Sequence, residues 1–437
     1  MLVAAWAFRP LWDVDLFWHV AIGRLIEAGG IPEADVFSAD DPTRPWTTFQ
    51  WGYELLVAKL DGLGGLGLLK LVHAGVIGAA LGLWTWIQAR RGDLPTALTS
   101  AAVLLLLFED RVRARPHVFE LLFVVALTAL VRGGTPRHLL GALLVAPIWA
   151  NLHAVSATWW IALVGAWAVG ERTAKAFGVL ALGALAIVTA PGAVDGVLTA
   201  TSSHSVWPDV FVPELARPLA YLDEGIWGYL MLGGVAAGLA AAVDLARRAE
   251  VPLGEKLAAL GLAVAACLLA RWVWLAALPI GFWLVRVKPR RALGLAALAV
   301  LVLGWRVGGR WTPGERAEDL QPNTFPVAAA AWMADQGLAL PTDTTTQWSG
   351  YWLYGVPGSR VLADGRLLFG EEVADLLIRR SEGDASTFDE AVGRFRTLAL
   401  VWPAGELPDL DASRWRQVYA DEVAEVWLPS PAWGLIP

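Results

Sequence analysis

One cysteine, three methionines and a charged fraction of only 17% are what this 437-residue sequence has least of. The lone Cys267 rules out an internal disulfide, so any extracytoplasmic part is held by packing alone. By itself it also makes no metal centre. Soluble domains carry roughly 25% charged residues, so the scarcity of charge argues against an ordinary soluble enzyme. The net charge of −7 gives no electrostatic basis for a nucleic-acid partner. The sequence has no internal repeat, low-complexity run or signal-peptide cleavage site.

What it has in excess is apolar surface. Hydrophobic residues make up 56% of the chain and tryptophans number 25. Indole favours the membrane–water boundary, so interfacial belts are the plain reading of the tryptophans. Stacking on sugar or prenyl groups is the functional one. A membrane-crossing helix needs about 20 apolar residues. Candidate spans fall at 63–88, 94–109, 116–131, 137–150, 154–169, 175–190, 226–243, 257–270, 271–286 and 292–307. Residues 1–12 are too short to cross and contain Arg9 and Pro10, so either the first helix is a half-span or, as expected here, the true start lies upstream of Met1.

Alternate short loops are basic, including Arg90 and Arg91, Arg132 and Arg137, Arg172 and Lys175, and Arg286 with Lys288. The positive-inside rule puts these in the cytoplasm. Residues 12–60, 109–116, Asn151–His153, 191–225 and the C-terminal tail then face outward. From about residue 310 charge returns and apolar runs shorten. Short strands in "SRVLADGR" and "TLALVWP", helices in "FPVAAAAWMADQG" and "GEEVADLLIRRSEG", and a hairpin around Ala420–Glu422 predict a small α/β domain. The expected architecture is an α-helical polytopic membrane domain, 1–309, followed by a soluble extracytoplasmic domain, 310–437.

Two acids stand beside the first apolar run, in "LWDVDLFWHV". Carboxylates are costly at membrane depth and are functional candidates there by default. Asp15, His19 and Gly23 share one face of a short helix ending at "AGG", and Asp13 suits its N-cap. Capping and interfacial solvation are the bland alternative. A second anomaly is "EDRVRARPH", which places Arg111, Arg113 and Arg115 on an outward loop. Pairing with Glu109, Asp110 or lipid phosphates would explain them. So would a grip on an anionic substrate, since guanidinium forks match phosphate oxygens.

The run "DVDLFWHVAIGRLIEAGGIPEADVFSADDPTRPWTTFQWGYELL" resembles bacterial membrane proteins of the GT-C glycosyltransferase superfamily. The paired acids, Trp18-His19, Gly23, Gly30-Ile31-Pro32, Asp35, Phe37-Ser38, Pro45-Trp46, Gln50-Trp51 and Glu54 carry the likeness. "RARPHVFELL", "NLHAVS", "VPEL" and "WSGYWLYGVPGSRVLADGR" extend it along the chain. The resemblance implies a mannosyltransferase-like enzyme of the inner membrane. It would move a sugar, in hexosyl transfer, from a polyprenyl-phosphate donor to a glycan, lipid or protein acceptor on the outer face.

It further implies a catalytic Asp in the first outward loop: Asp15 in the better register, or Asp13. Some relatives use a divalent cation and others none, and two carboxylates alone are a weak metal signal. Arg111, Arg113, Arg115, His117 and Arg271 are then candidates for the phosphate site. His19, Glu54, Asn151, His153 and Glu214 are candidates for sugar or acceptor contacts. The competing reading is a lipid-linked glycan translocator or assembly scaffold that binds without reacting. A secondary transporter would call for repeat symmetry or paired broken helices, which the sequence does not display.

Overall fold

The computed structural model describes residues 9–198 except Gly134, 218–287, 318–431 and scattered positions from 297 to 304. Two compact units emerge: Met1–Arg9 with Lys70–Arg316, and Pro10–Leu69 with Ala317–Pro437.

The first helices are α1 (Asp15–Gly29) and α2 (Trp51–Ala89). α2 leaves helical geometry at Gly64 and Gly65. Gly65 has φ +62°, a conformation that residues with a Cβ rarely adopt. The apolar helix beyond this break corresponds to the span predicted at 63–88.

The helical unit continues with α3 (Leu94–Phe108), α4 (His117–Gly133), α5 (Pro136–Glu171), α6 (Ala174–Val188), α7 (Ile226–Arg247) and α8 (Leu253–Leu268). A 3-10 segment, Ala270–Ala276, leads into α9 (Ala277–Val287). Several starts are capped as their sequences dictate. The Asp93 carboxylate accepts from Thr96 N at 2.8 Å, and the Thr173 hydroxyl from Ala176 N at 3.2 Å. Most of the predicted span 292–307 lies outside the described residues.

α5 is two helices in one. His153 breaks it with extended backbone, φ −165° and ψ 86°. Trp160 Nε1 donates to Ala142 O at 2.8 Å across eighteen residues of sequence. A straight helix would hold such residues about 27 Å apart at 1.5 Å per residue, so the chain doubles back at His153. This matches the two spans predicted at 137–150 and 154–169. Trp149 Nε1 on Ser156 Oγ, at 2.8 Å, ties the same turn. Among the described residues, four segments are long and apolar enough to cross a membrane: Trp51–Ala89, Pro136–Glu171, Ile226–Arg247 and Ala270–Val287. The chain is a multi-pass, mostly helical membrane protein.

The second unit carries a five-stranded sheet in the order β2-β1-β3-β5-β4. Its strands are β1 (Pro341–Thr344), β2 (Arg360–Val361), β3 (Ala399–Pro403), β4 (Trp415–Ala420) and β5 (Ala424–Pro429). β1 runs parallel to β2 and β3, whereas β5 pairs antiparallel with β3 and β4. Helices α10 (Val327–Asp335), α11 (Thr346–Gly355), α12 (Glu371–Ser381) and α13 (Ser386–Phe395) accompany it.

Segments from both ends of the sequence build this unit. Phe17, Trp18 and Ile22 of α1 share one core with Tyr351, Trp352 and Val401. Leu11 pairs in parallel with Leu320, and Ser38 with Val361. Ala39 N donates to Val361 O, and Val361 N to Phe37 O, each at 2.9 Å. Residues 37–39 thereby add a rung at the β2 edge of the sheet.

Candidate active site

α1 begins as the sequence foretells, with a shift of one residue. Val14 is the N-cap, with no side-chain bond of its own. Asp13, one position earlier, accepts from Asp15 N at 3.0 Å. Asp13 is buried and Asp15 is half-buried. Of the face predicted to carry Asp15, His19 and Gly23, the last two meet the first part of α2. At Gly23 a Cβ would stand 2.0 Å from Glu54 O, so only glycine permits this approach. His19 Nδ1 lies 3.4 Å from Glu54 Oε1, both side chains buried. The His19 ring meets Tyr53 edge-on at 5.0 Å and lies 3.6 Å from the Trp18 ring. His19 and Glu54 thus come together one helical turn beyond the acids.

The loop after β2 closes on the same place. A Cβ at Gly365 would lie 2.7 Å from Asp15 Oδ1 and 3.8 Å from Trp18 Nε1. A Cβ at Gly350 would lie 2.4 Å from Val14 O. The "ADGR" stretch does follow a strand, as its sequence suggests, and it also walls the Asp15 carboxylate.

Arg366, next along that loop, is buried. Its Nη1 donates to Asp35 at 2.7 Å and its Nε to both Asp364 oxygens, at 3.0 and 2.9 Å. The guanidinium also stands 5.1 Å from the Trp46 ring. Burial alone would lower the Arg366 pKa, but Asp364 and Asp35 outweigh it and raise the pKa above the ordinary value. Burial raises the Asp35 carboxyl above its usual range, Arg366 opposes this, and Asp364 adds to it. Asp35 was legible in the sequence; its tie to Arg366 spans most of the chain and no local pattern announces it.

The remaining predicted residues lie in the helical unit. There the 109–116 loop is fastened by ion pairs. Arg9 Nη1 lies 3.3 Å from Glu109, and Arg113 Nη2 lies 3.4 Å from Asp110. For Arg113, pairing with a neighbouring acid is therefore a sufficient account. Arg111 is buried instead, and together with Arg115 and Arg271 it acts electrostatically on His117.

His117, Glu120 and His153 each offer a ligand atom within 4.8 Å of the others. The two imidazoles are 5.1 Å apart at 73°. Glu120 follows His117 by three positions and so shares its helix face, a spacing that the sequence displays. Two histidines and a carboxylate are a donor set that zinc accepts. The surrounding guanidinia oppose a bare divalent ion and favour an anion beside it. Asn151 Nδ2 donates to Pro147 O at 2.7 Å, a local bond at the α5 hairpin. Glu214 lies outside the described residues.

The helical unit also sorts its loops by charge. Helix starts at His117 and Ala154 and the 3-10 start at Ala270 gather at the end that holds Arg111, His153 and Arg271. Arg91, Arg132, Glu255 and Arg286 meet at the other end. Over 97% of this chain and 95% of its own, ArnT from Cupriavidus metallidurans bound to undecaprenyl phosphate superposes with a TM-score of 0.53 at 14% identity.

The fold is that of the GT-C glycosyltransferases.

Two structures of an Archaeoglobus fulgidus oligosaccharyltransferase share it. The apo form gives a TM-score of 0.58 at 11% identity, over 92% of this chain and 69% of that one. The complex with Zn and sulfate gives 0.55 at 12% identity, over 90% of this chain and 64% of that one. At such identities the likeness establishes the GT-C fold alone. No protein-family model matches the sequence, and no curated protein matches it.

Proposed function

We propose that this chain is a membrane glycosyltransferase that moves a sugar from a polyprenyl-phosphate donor to a glycan, lipid or protein acceptor on the outer face of the membrane. In this reading domain 1–309 spans the bilayer, except for its first loop at 12–60, and that loop and 310–437 are extracytoplasmic. The observation that carries the proposal is the Asp15 carboxylate. It is half-buried at the start of α1, beside the Gly365 wall, with the buried Asp13 fixing the backbone beneath it. Asp15 stands in the better register of the resemblance and is assigned as the base, with Asp13, which accepts from Asp15 N, as its positioning partner.

The acceptor hydroxyl gives its proton to Asp15 as its oxygen bonds to the anomeric carbon. The bond from that carbon to the phosphate oxygen breaks, and the phosphate leaves with the electron pair. A single displacement of this kind inverts the anomeric configuration. Negative charge grows on the leaving phosphate, and preorganised cations lower that barrier. The resemblance assigns this role to Arg111, Arg115 and Arg271, with His117 as a further donor. Where a divalent cation is required, His117, Glu120 and His153 are the residues that would hold it and let it draw charge from phosphate. The ArnT structure bound to undecaprenyl phosphate supports a polyprenyl-linked partner for this fold.

The test uses the full-length protein in proteoliposomes with radiolabelled polyprenyl-phosphate sugars from native membranes. Asp15→Asn keeps the size and most hydrogen bonds but removes the base, a loss of typically 10²–10⁴ in rate. Asp15→Asn and Asp13→Asn together retaining near-normal transfer would refute the assignment. It would leave the translocator or scaffold as the better reading.

A further inference from the structure

A second polar site occupies the opposite end of the helical unit. A cavity of about 440 Å³ opens there, where α4, α5 and α9 end and α6 and α8 begin. Arg91, Arg132 and Lys175 line it, with Glu171 and Glu255. Three guanidinia surround Glu255. Arg132 Nη2 lies 2.8 Å from it, Arg286 Nη1 2.6 Å and Arg91 Nη1 3.9 Å. One buried carboxylate therefore gathers three guanidinia, and positive charge is left over.

Arg132 shows where that excess points. Its Nη2 serves Glu255 and its guanidinium lies 4.1 Å over the Phe282 ring, whereas Nη1 is buried with no protein partner. A buried guanidinium nitrogen without an acceptor costs free energy that a bound anion would recover. Lys175, exposed at the rim, supplies a second cation.

Two glycines keep the cavity shaped. A Cβ at Gly170 would fall 2.6 Å from Gly254 N, and one at Gly254 would fall 2.9 Å from Ala166 O. The end of α5 and the start of α8 thus approach at backbone distance. The rest of the wall is apolar, with Val131, Leu139, Leu163 and Phe282. Cations over an apolar wall, at helix ends carrying the basic loops, match a phosphate on a hydrophobic stem.

We propose that this cavity binds a phosphate-bearing anion, and that the bound form is the headgroup of an anionic phospholipid. The site is separate from the residues assigned to transfer and does not depend on that assignment.

Native mass spectrometry of the full-length protein in neutral detergent tests it, with phosphatidylglycerol, phosphatidylcholine and inorganic phosphate as probes. Phosphatidylglycerol should be retained in preference to phosphatidylcholine. Lys175→Gln and the double variant Arg132→Gln/Glu255→Gln should each weaken retention about tenfold, the order that one charge-assisted bond carries. Arg137→Gln, outside the cavity lining, should leave retention unchanged. Phosphate displacing the lipid supports the shared chemistry and the lipid source. Phosphate raising the melting temperature in a Lys175-dependent way, with no lipid retained, keeps the anion site but assigns it to a soluble phosphate. Equal retention of the two lipids, or equal retention by wild type and variants, overturns the proposal. Should the double variant misfold, Lys175→Gln decides alone, because an exposed rim lysine is not needed for packing.

Discussion

A methyl group at Gly365 would press on the Asp15 carboxylate at 2.7 Å. Gly365→Ala should therefore lower the turnover number by about tenfold to a hundredfold, the range for a catalytic group displaced by roughly 1 Å. Folding should survive, because the carboxylate is half-buried and can move. Parallel transfer assays and melting curves check this. Asp35 gives a pH dependence. Burial raises its folded pKa, so its contribution to stability is full below the unfolded value near 3.9. That contribution fades as pH rises through the folded pKa. The melting temperature of wild type relative to Asp35→Asn should thus fall between about pH 4 and the raised folded value. A flat difference across that window would mean that Asp35 titrates normally.

At the scale of elements, the α5 hairpin rests on few groups. Trp160 Nε1 bonds Ala142 O, and a Cβ at Gly183 would lie 1.9 Å from the Trp160 ring. Trp160→Phe keeps most of the ring but leaves a buried carbonyl unpaired, which costs about 1–3 kcal/mol. Gly183→Leu overpacks the same contact and should cost about 1–3 kcal/mol or more. Melting in detergent measures both. Leu144→Ala, on an exposed position of the same hairpin, serves as control. α1 offers the matching case: Gly23→Val should uncouple α1 from the start of α2, where Glu54 O leaves no room for a side chain.

Across the whole molecule, the sheet unit draws on both ends of the sequence. Phe17, Trp18 and Ile22 lie in its core, and Leu11 and Ser38 add rungs beside Leu320 and Val361. Residues 318–437 expressed alone should therefore be degraded readily in limited proteolysis. The intact chain should yield a resistant fragment from the same region. Equal resistance would show that the C-terminal part folds without α1. Orientation is a second prediction at this scale. The positive-inside rule expects the basic loops inside and the C-terminal tail outside, so a phosphatase reporter fused after Pro437 should be active. Activity of a cytoplasm-dependent reporter there would invert the topology.

The sequence by itself determined whatever is local or periodic. Apolar runs marked the spans, including both arms of α5. The Asp15–His19–Gly23 spacing marked the side of α1 whose His19 and Gly23 meet Glu54. The strands at Arg360–Val361 and Ala399–Pro403 and the β4–β5 hairpin were legible in the same way. Only the tertiary structure decided which distant residues meet. Gly365 reaching Asp15, Arg366 bridging Asp35 and Asp364, and His117 with Glu120 meeting His153 are long-range pairings. So is the gathering of Arg91, Arg132 and Arg286 on Glu255. Periodicity reports which face of one element is buried, not which element covers it. The covering partner is chosen by close packing and by the need to pair buried charge, and both act across the folded chain.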